Sequence, residues 1–332
     1  MSACRREDCL MSLKQFVKKH IVNDSHPFMM YLWQKHLDRK YARHSRMSYA
    51  EIEAEISRQY RRMFGRTLNW DNPQTYNEKI HVSKLYMPSP LKTRLADKVA
   101  VREWIAEKIG SQYLIPLLGV YDSFDQIDFD ALPEQFVIKC NHDSGSYTLV
   151  KDKHAINKSL LKRKYDVMLS RNFAWMGWEM HYRDIPPKIV IEKFIDNAAV
   201  NDYRFYCFDG KPYYCAVDFY GSMHQRNARN IYGMDWDLQL FILQYPNFTG
   251  EAPCPDNFSE LKSIAEKLCE GFGHVRVDLY SAGSKVYFGE MTFSHANGFQ
   301  KLIPDEWDFK LGALWPFDNS VRSQVLAHSS RP

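Results

Sequence analysis

No stretch of about eighteen apolar residues occurs in this 332-residue chain, so no helix that spans a bilayer is expected. The opening residues are polar and charged without an apolar core segment, which gives no ground for a secretory signal. Two phosphate signatures are missing. There is no GxxxxGK(S/T) loop and no GxGxxG after a strand, so a nucleotide would be held by neither a Walker loop nor a Rossmann turn. Seven cysteines are present, but none forms a CxxC pair or a Cys/His cluster at zinc spacing. Cys4, Cys9, Cys140, Cys207, Cys215, Cys254 and Cys269 therefore read as free thiols of a reducing cytosol, as the odd count suggests. Internal repeats and low-complexity segments are also absent.

What is present suits a soluble globular protein with real cores: 45% hydrophobic, 14% aromatic and 25% charged residues, enough for two or three lobes. The net charge of +4 is unevenly spread. Residues 1–66 carry fourteen Lys/Arg against seven Asp/Glu, a net +7, and the remainder carries 30 against 33, a net −3. Such a basic front end points to an anionic partner, a membrane surface or a polyanion; a solvated basic helical face has the same composition.

Leu13, Phe16, Val17 and Ile21 mark a short amphipathic helix over 12–22, and helices are expected over 27–45 and 48–64. The last of these has Ser48 and Glu51 in capping-box positions and Gly65 as its stop. Thr75 is placed to cap a helix through Leu85, and Ala96–Ile109 reads as one helix ended by Gly110. Strands are expected at 113–120, 136–140, 147–151 and 188–195, with a hairpin at 203–219 turned on Asp209-Gly210. A helix at 258–270 precedes a second hairpin, 275–293, and a closing helix begins near Trp307. Helices and strands mix without steady βαβα alternation, so the fold class is α+β with antiparallel hairpins in separate lobes.

The hairpin at 275–293 carries the chemistry. Strict alternation puts Val275, Val277 and Leu279 on one face and Arg276, Asp278 and Tyr280 on the other; on the return strand it groups Val286, Phe288, Glu290 and Thr292. With an odd number of loop residues Asp278 and Glu290 become a diagonal pair, about 7–8 Å apart at the backbone. Two carboxylates at that distance can share a hard cation such as Mg²⁺, and Arg276 adds a positive fork. An exposed face with a surface salt bridge would use the same residues. Lys139, near the end of an apolar strand, runs into Ser144-Gly145-Ser146, whose backbone N–H groups can cradle phosphate; such a loop also serves as a plain turn.

Taken in order, these blocks resemble the ATP-grasp superfamily, specifically its TupA-like branch, associated with teichuronopeptide and related polysaccharide biosynthesis. The similar text is Asn72-Pro73 with Tyr76–Ile80, Ala96-Asp97-Lys98, Leu114–Tyr121, Phe136–Asn141, Asp202–Phe205, Arg276-Val277-Asp278 and Glu290–Phe293, spread over about residues 65–315. The resemblance implies an ATP-grasp fold, two α+β lobes clasping ATP, with an N-terminal helical extension. Its implied divisions are a basic helical region 1–66, a pre-ATP-grasp region 67–135, a central lid lobe 136–195, a C-terminal lobe with the metal site 196–320, and a tail 321–332.

By the same resemblance, Lys98 and Lys139 would hold the ATP phosphates, and the loop Ser144, Gly145 and Ser146 would close over them. Glu192, Lys193 and Ile195 would form the adenine hinge, read by backbone groups of Lys193 and Ile195. Asp278 and Glu290 would bind Mg²⁺, Arg276 would steady an acyl phosphate, and Asp202 and Arg204 would face the phosphates or the acceptor. Many ATP-grasp enzymes have Asn two residues after the second acidic ligand; here that position is Thr292, with Asn297 as a substitute. The implied activity is ATP-dependent carboxylate–amine ligation through an acyl phosphate, which needs no Ser or Cys nucleophile. Its substrates would be a uronic acid of a cell-surface polysaccharide or its precursor, and an amino acid or amine. The implied location is cytoplasmic, at the inner membrane surface if the basic helices dock there, and no nucleic acid is expected. A different enzyme class is offered by Asp235-Trp236-Asp237, the DxD pattern of sugar-nucleotide glycosyltransferases. Among scattered histidines, only His142 and His295 fall beside the implied site, and the aromatic patch 173–178 suits sugar stacking or core.

Overall fold

The computed structural model describes residues 27–195, 200–220, 226–250, 252–318 and 320–332. The amphipathic helix expected over 12–22 lies outside them. The chain divides into two compact units, Met1–Met47 and Ser48–Pro332. In the first, helix α1 (Pro27–His44) ends on the basic residues Arg43 and His44, which suit a helix C-terminus. Among the described residues, no helix is long and apolar enough to cross a membrane.

The second unit opens with α2 (Tyr49–Phe64). Ser48 accepts the Glu51 N–H and the Glu51 carboxylate accepts the Ser48 N–H at 2.7 Å, while Gly65, at φ +71°, closes the helix. Tyr49, Ile52, Ile56 and Tyr60 form its buried stripe. Thr75 and Glu78 make the same box for α3 (Tyr76–Tyr86), which is buried almost all round. Its polar side chains are therefore tied down: Asn77 Nδ2 donates to Gln300 O at 2.8 Å and to Asp308 Oδ1 at 2.9 Å.

The helix expected over Ala96–Ile109 begins only at Val101 (α5, Val101–Lys108), and Ala96 instead ends a separate helix, α4 (Pro90–Ala96). The break has a local and a distant cause. Asp97 is extended, and its Oδ1 accepts the Val99 N–H at 2.8 Å and the Asn141 amide at 2.9 Å. The Lys98 N–H in turn donates to Asn141 O at 3.2 Å. Lys98 thus sits in a corner clamped from strand β2 rather than on a helix face. The strand expected from Tyr113 begins later, after a 3₁₀ turn at Ser111–Tyr113.

A four-stranded antiparallel sheet runs in the order β1 (Leu117–Tyr121), β4 (Ile189–Lys193), β2 (Phe136–Cys140), β3 (Thr148–Val150). Phe136, Ile138, Cys140, Ile189 and Ile191 point into one core, against Tyr165 of α6 (Lys158–Leu169). Val137, Lys139, Val190 and Glu192 take the opposite face by alternation, directly paired as 137 with 192 and 139 with 190. The short helix α7 (Ala174–Gly177) precedes β4.

The second sheet is six-stranded and antiparallel: β11 (Lys285–Thr292), β10 (His274–Ala282), β5 (Val200–Phe208), β6 (Lys211–Tyr220), β7 (Arg226–Tyr232), β8 (Leu238–Gln239). Asp209 and Gly210, at φ 47° and 71°, turn the β5–β6 hairpin as their sequence predicts. Val275, Val277, Leu279, Phe205 and Val217 pack on α8 (Phe258–Cys269). On the other face, one end of the sheet packs Tyr206, Phe208, Ala216 and Ile231 on α3 and on α9 (Glu306–Ala313). A ribbon of β9 (Ile242–Leu243) and β12 (Leu302–Ile303), then α10 (Ser320–His328), complete the unit.

The β10–β11 hairpin departs from strict alternation. A bulge falls between Asp278 and Leu279, so Leu279 pairs with Phe288 but Asp278 pairs with Glu290, leaving Gly289 unpaired. Val286 and Phe288 therefore face the α8 core, while Glu290 and Thr292 face away from it. Had the ladder run on regularly, Glu290 would oppose Val277 and point into that core. Glycine suits the extra position because a Cβ there would lie 2.9 Å from the Tyr280 ring and 3.0 Å from Asp278 O. Asp278 and Glu290 are direct rather than diagonal neighbours.

Candidate functional site

A row of alternating charges crosses five strands on the face that Glu290 joins. Arg276 donates to both oxygens of Asp278, Nε and Nη2 each at 2.6 Å, and its Nη2 also reaches Glu290 Oε1 at 3.0 Å. Arg204 lies 3.5 Å from Asp278, contacts Asp202, and pairs with Asp218 at 2.9 Å; Arg229 closes the row on Asp218 at 2.6 Å. Four carboxylates (Glu290, Asp278, Asp202, Asp218) meet three guanidiniums (Arg276, Arg204, Arg229), which leaves one negative charge in excess. That excess is exposed at one end: the Glu290 side chain is 42% accessible and Asp278 only 5%. Burial pushes Asp278 up to about 6 against the pull of Arg276 and Arg204, with Glu290 adding to the rise. Burial also opposes charge on Glu290, yet Arg276, Lys98 and the Thr292 hydroxyl hold it below its ordinary value.

Across from this row stands the polar face of the four-stranded sheet. Lys139 Nζ lies 2.5 Å from Glu192 Oε2, and Arg102 Nη1 lies 3.1 Å from Oε1 of the same carboxylate. Lys98 donates to Asp143 O. Burial pulls Lys98 below the ordinary lysine range; Asp143 and Glu290 pull it back, and Lys139 adds to the fall. Lys98 thus feels both the carboxylate of one sheet and the lysine of the other. Lys98, Arg102, Glu192, Tyr182 and Glu290 line one crevice with about 20 Å³ of free space, room for roughly one water. Asp278 and Glu290 supply hard oxygen donors only, side by side and open at one end. That matches Mg²⁺, which takes one or two protein carboxylates together with substrate phosphates.

Other expected site residues are already committed elsewhere. The Ser146 hydroxyl donates to Asp143 Oδ1 at 2.5 Å and accepts the Cys140 N–H at 3.0 Å, so it braces the loop; Ser144 and Gly145 form the exposed tip. The Lys193 N–H donates to Pro116 O at 2.9 Å, inside the sheet, and so does not present a donor to an adenine edge. Ile195 ends the described stretch after β4. Asp202 and Arg204 pair with each other. Thr292 donates to Glu290 Oε1 at 2.9 Å and stays beside the acidic pair, whereas Asn297 is bound by Lys84. His142 ties down the end of α6 through Met168 O and Arg171 O at 3.2 and 3.1 Å. His295 is buried against Tyr206, and burial keeps it well below the usual imidazole range, with Arg276 adding to the fall. Asp235 and Asp237 flank Trp236, which stacks on Tyr232 in the core, and Asp237 turns back onto Gln239 and Gly233. Among the described residues no group of three or more His, Cys, Asp or Glu could hold a metal.

Sequence reasoning passed over Arg102, Asp218, Arg229 and Lys84. Arg102 and Lys84 find their partners on elements far along the chain, and Asp218 and Arg229 pair across two consecutive strands. Lys84, on α3, is 2% exposed and donates to Asn297 O at 2.9 Å and to Asn297 Oδ1. It holds a turn in which Ala296, Asn297 and Gly298 all have positive φ, 47°, 56° and 79°. Such strain persists only where surroundings impose it.

Residues 78–315 match the model of the TupA-like ATPgrasp family, which is 238 of the 332 residues. No curated protein matches the chain. Among solved structures, the chain is similar to a D-alanine–D-alanine ligase from Bacillus anthracis at 18% identity, TM-score 0.33, covering 60% of this chain and 57% of that one. It is similar to the ATP-grasp ligase PsnB complexed with minimal precursor at 13% identity, TM-score 0.36, covering 62% and 54%. A RimK domain ATP-grasp protein from Sphaerobacter thermophilus gives 15% identity, TM-score 0.37, with 67% of each chain covered. The chain thus spans little more than half the length of the first two.

Proposed function

This chain belongs to the TupA-like ATP-grasp family, and from that premise we propose that it is an ATP- and Mg²⁺-dependent carboxylate–amine ligase. The observation that carries the reading is the shared crevice: Lys98 and Glu192 on one side and Glu290 on the other, with Asp278 beside Glu290. Lys98 and Lys139 would neutralise the triphosphate, Lys98 from its clamped corner and Lys139 from the strand. Bound Mg²⁺ would offset the charge that spreads over the phosphates during transfer. A substrate carboxylate oxygen attacks the γ-phosphorus, the bond to ADP breaks, and an acyl phosphate forms. An unprotonated amine then attacks the acyl carbon, phosphate leaves, and the amine proton is lost to solvent. The protein holds the reactants in line and excludes water, which would otherwise hydrolyse the mixed anhydride.

For substrates we propose a uronic-acid carboxylate of a cell-surface polysaccharide or its precursor, and an amino acid or amine. Incubation with ATP, Mg²⁺, candidate uronates and hydroxylamine is expected to yield a hydroxamate and ADP in equal amounts. Absence of ADP with every carboxylate tried would overturn the reading.

The net +7 of residues 1–66 supports a cytoplasmic location at an anionic membrane surface that carries the substrate. Removal of residues 1–45 should lower binding to vesicles containing phosphatidylglycerol, most clearly at low salt; equal binding before and after removal would eliminate this role.

A further inference from the structure

We infer that Arg102 is a positioning residue that releases Lys139 from the protein to the phosphates of the nucleotide; the inference rests on the ATP-binding reading above. The Glu192 carboxylate has two cationic partners of different kinds. Lys139 approaches Oε2 at 2.5 Å from the neighbouring strand, a diagonal pair on the crevice face. Arg102 approaches Oε1 at 3.1 Å from the first turn of α5, and its Nη2 donates to Ile115 O at 2.7 Å. Arg102 is therefore fixed at both ends of its fork, between a buried carboxylate and the segment leading into β1. Lys139 is a compact charge on a flexible stem, and among the described residues its ammonium contacts Glu192.

The two cations share one anion. If Lys139 were the sole partner of Glu192, its departure toward a phosphate would strand a carboxylate that is 7% exposed, and such a separation is strongly opposed. Arg102 stays behind and keeps the carboxylate compensated. Its guanidinium cannot lose its proton, so the compensation does not fade with pH. The charge on Glu192 would otherwise compete with the triphosphate for Lys139. Arg102 itself binds neither phosphate nor metal; it sets how tightly Lys139 is retained. The four-residue spacing from Lys98 to Arg102 places both on the same corner of the crevice. One short segment then supplies a phosphate-facing lysine and the arginine that frees the second one.

The test is calorimetric binding of Mg·ATP and of adenosine to full-length protein. Arg102→Met is expected to weaken Mg·ATP binding about tenfold, the scale of one charged hydrogen bond, while adenosine binding changes less than about twofold. Arg102→Lys should fall between wild type and Arg102→Met, and it carries the test if the methionine variant does not fold. Adding Glu192→Gln to Arg102→Met should restore Mg·ATP binding to the level of Glu192→Gln alone, because the competitor for Lys139 is gone. An equal loss of adenosine and Mg·ATP binding would make Arg102 merely structural and overturn the inference. So would unchanged Mg·ATP binding, or a double variant no better than Arg102→Met. If wild-type protein bound no Mg·ATP, the proposed function would fail first and take this inference with it.

Discussion

Glu290→Gln is expected to reduce carboxylate-dependent ADP release by about 10³-fold, the upper range for loss of one preorganised charge-stabilising group, with little change in folding stability. Asp278→Asn should lose activity to a similar degree, yet it should be at least as stable as wild type at neutral pH, because burial opposes the Asp278 charge more strongly than Arg276 and Arg204 favour it. The contrast comes from their surroundings. Glu290 is 42% accessible, with a 3.0 Å contact to Arg276 and a 2.9 Å bond from Thr292. A glutamine oxygen keeps both as an acceptor. Asp278 is 5% accessible and receives both arms of Arg276, with Arg204 3.5 Å away. An amide there gives up those charge pairs but no longer carries a buried charge of its own. ADP release in a coupled assay and urea unfolding of both variants measure the two effects separately. Glu290→Gln within tenfold of wild type would remove the metal role; a loss of several kcal/mol in Asp278→Asn would contradict the dominance of burial at that carboxyl.

The second large effect concerns Lys84. Burial pulls its pKa from the ordinary lysine value to about 7, with Glu179 opposing the fall. The unfolded chain keeps an ordinary lysine, so between about pH 7 and 10.5 the unfolded state binds more protons than the native one. Stability therefore rises with pH across that window and is lost as pH falls to 7, at about 1.4 kcal/mol per unit for a full proton difference. Lys84→Met lacks this dependence. Between pH 7 and 9, wild type should gain on the variant by roughly 2 kcal/mol, read from urea unfolding at both pH values.

The neighbours do not cancel this signal. Burial pulls His181 down to about 3 and His81 well below its usual range, so both stay neutral throughout the window. Lys92, pulled by burial to about 8, titrates in both proteins and drops out of the difference. Glu179 is raised by burial, with the Ser294 hydroxyl and Lys84 pulling it down; removing Lys84 raises it further, and a raised carboxyl loses stability as pH rises, so its titration widens the difference between the two proteins rather than cancelling it. At pH 7 the variant should be as stable as wild type or more so, since a buried cation has been removed. It should still be the poorer enzyme, because the 296–298 turn loses its anchor. A difference between the two proteins that does not vary with pH would exclude the account.

The local signals in the sequence were readable because they act within a few residues. Ser48 with Glu51, Thr75 with Glu78, Gly65, and Asp209 with Gly210 sit where caps and a primed turn require them. The break at Asp97 was not readable, since half of its cause is Asn141, forty-four residues further on. Nor was the pairing of Asp278 with Glu290, because a period of two carries Val286, Phe288 and Glu290 along one face and gives no sign that Gly289 is skipped. Ser146 and Lys193 carry the right chemistry in the text, but a hydroxyl already bonded to Asp143 and an N–H already bonded to Pro116 are facts of packing. Arg229, fully enclosed beside Asp218, is an arginine whose meaning comes only from strand order.

The skipped glycine separates two properties that usually travel together. Excising Gly289 would let the rungs count straight through, and Glu290 would still stand opposite Asp278. What would vanish is the extra twist that a widened rung gives the strand. The side on which the acid stands is therefore tolerant of a missing residue, and its aim across the crevice is not. At this corner, handedness of bending is as much a part of the site as any functional group.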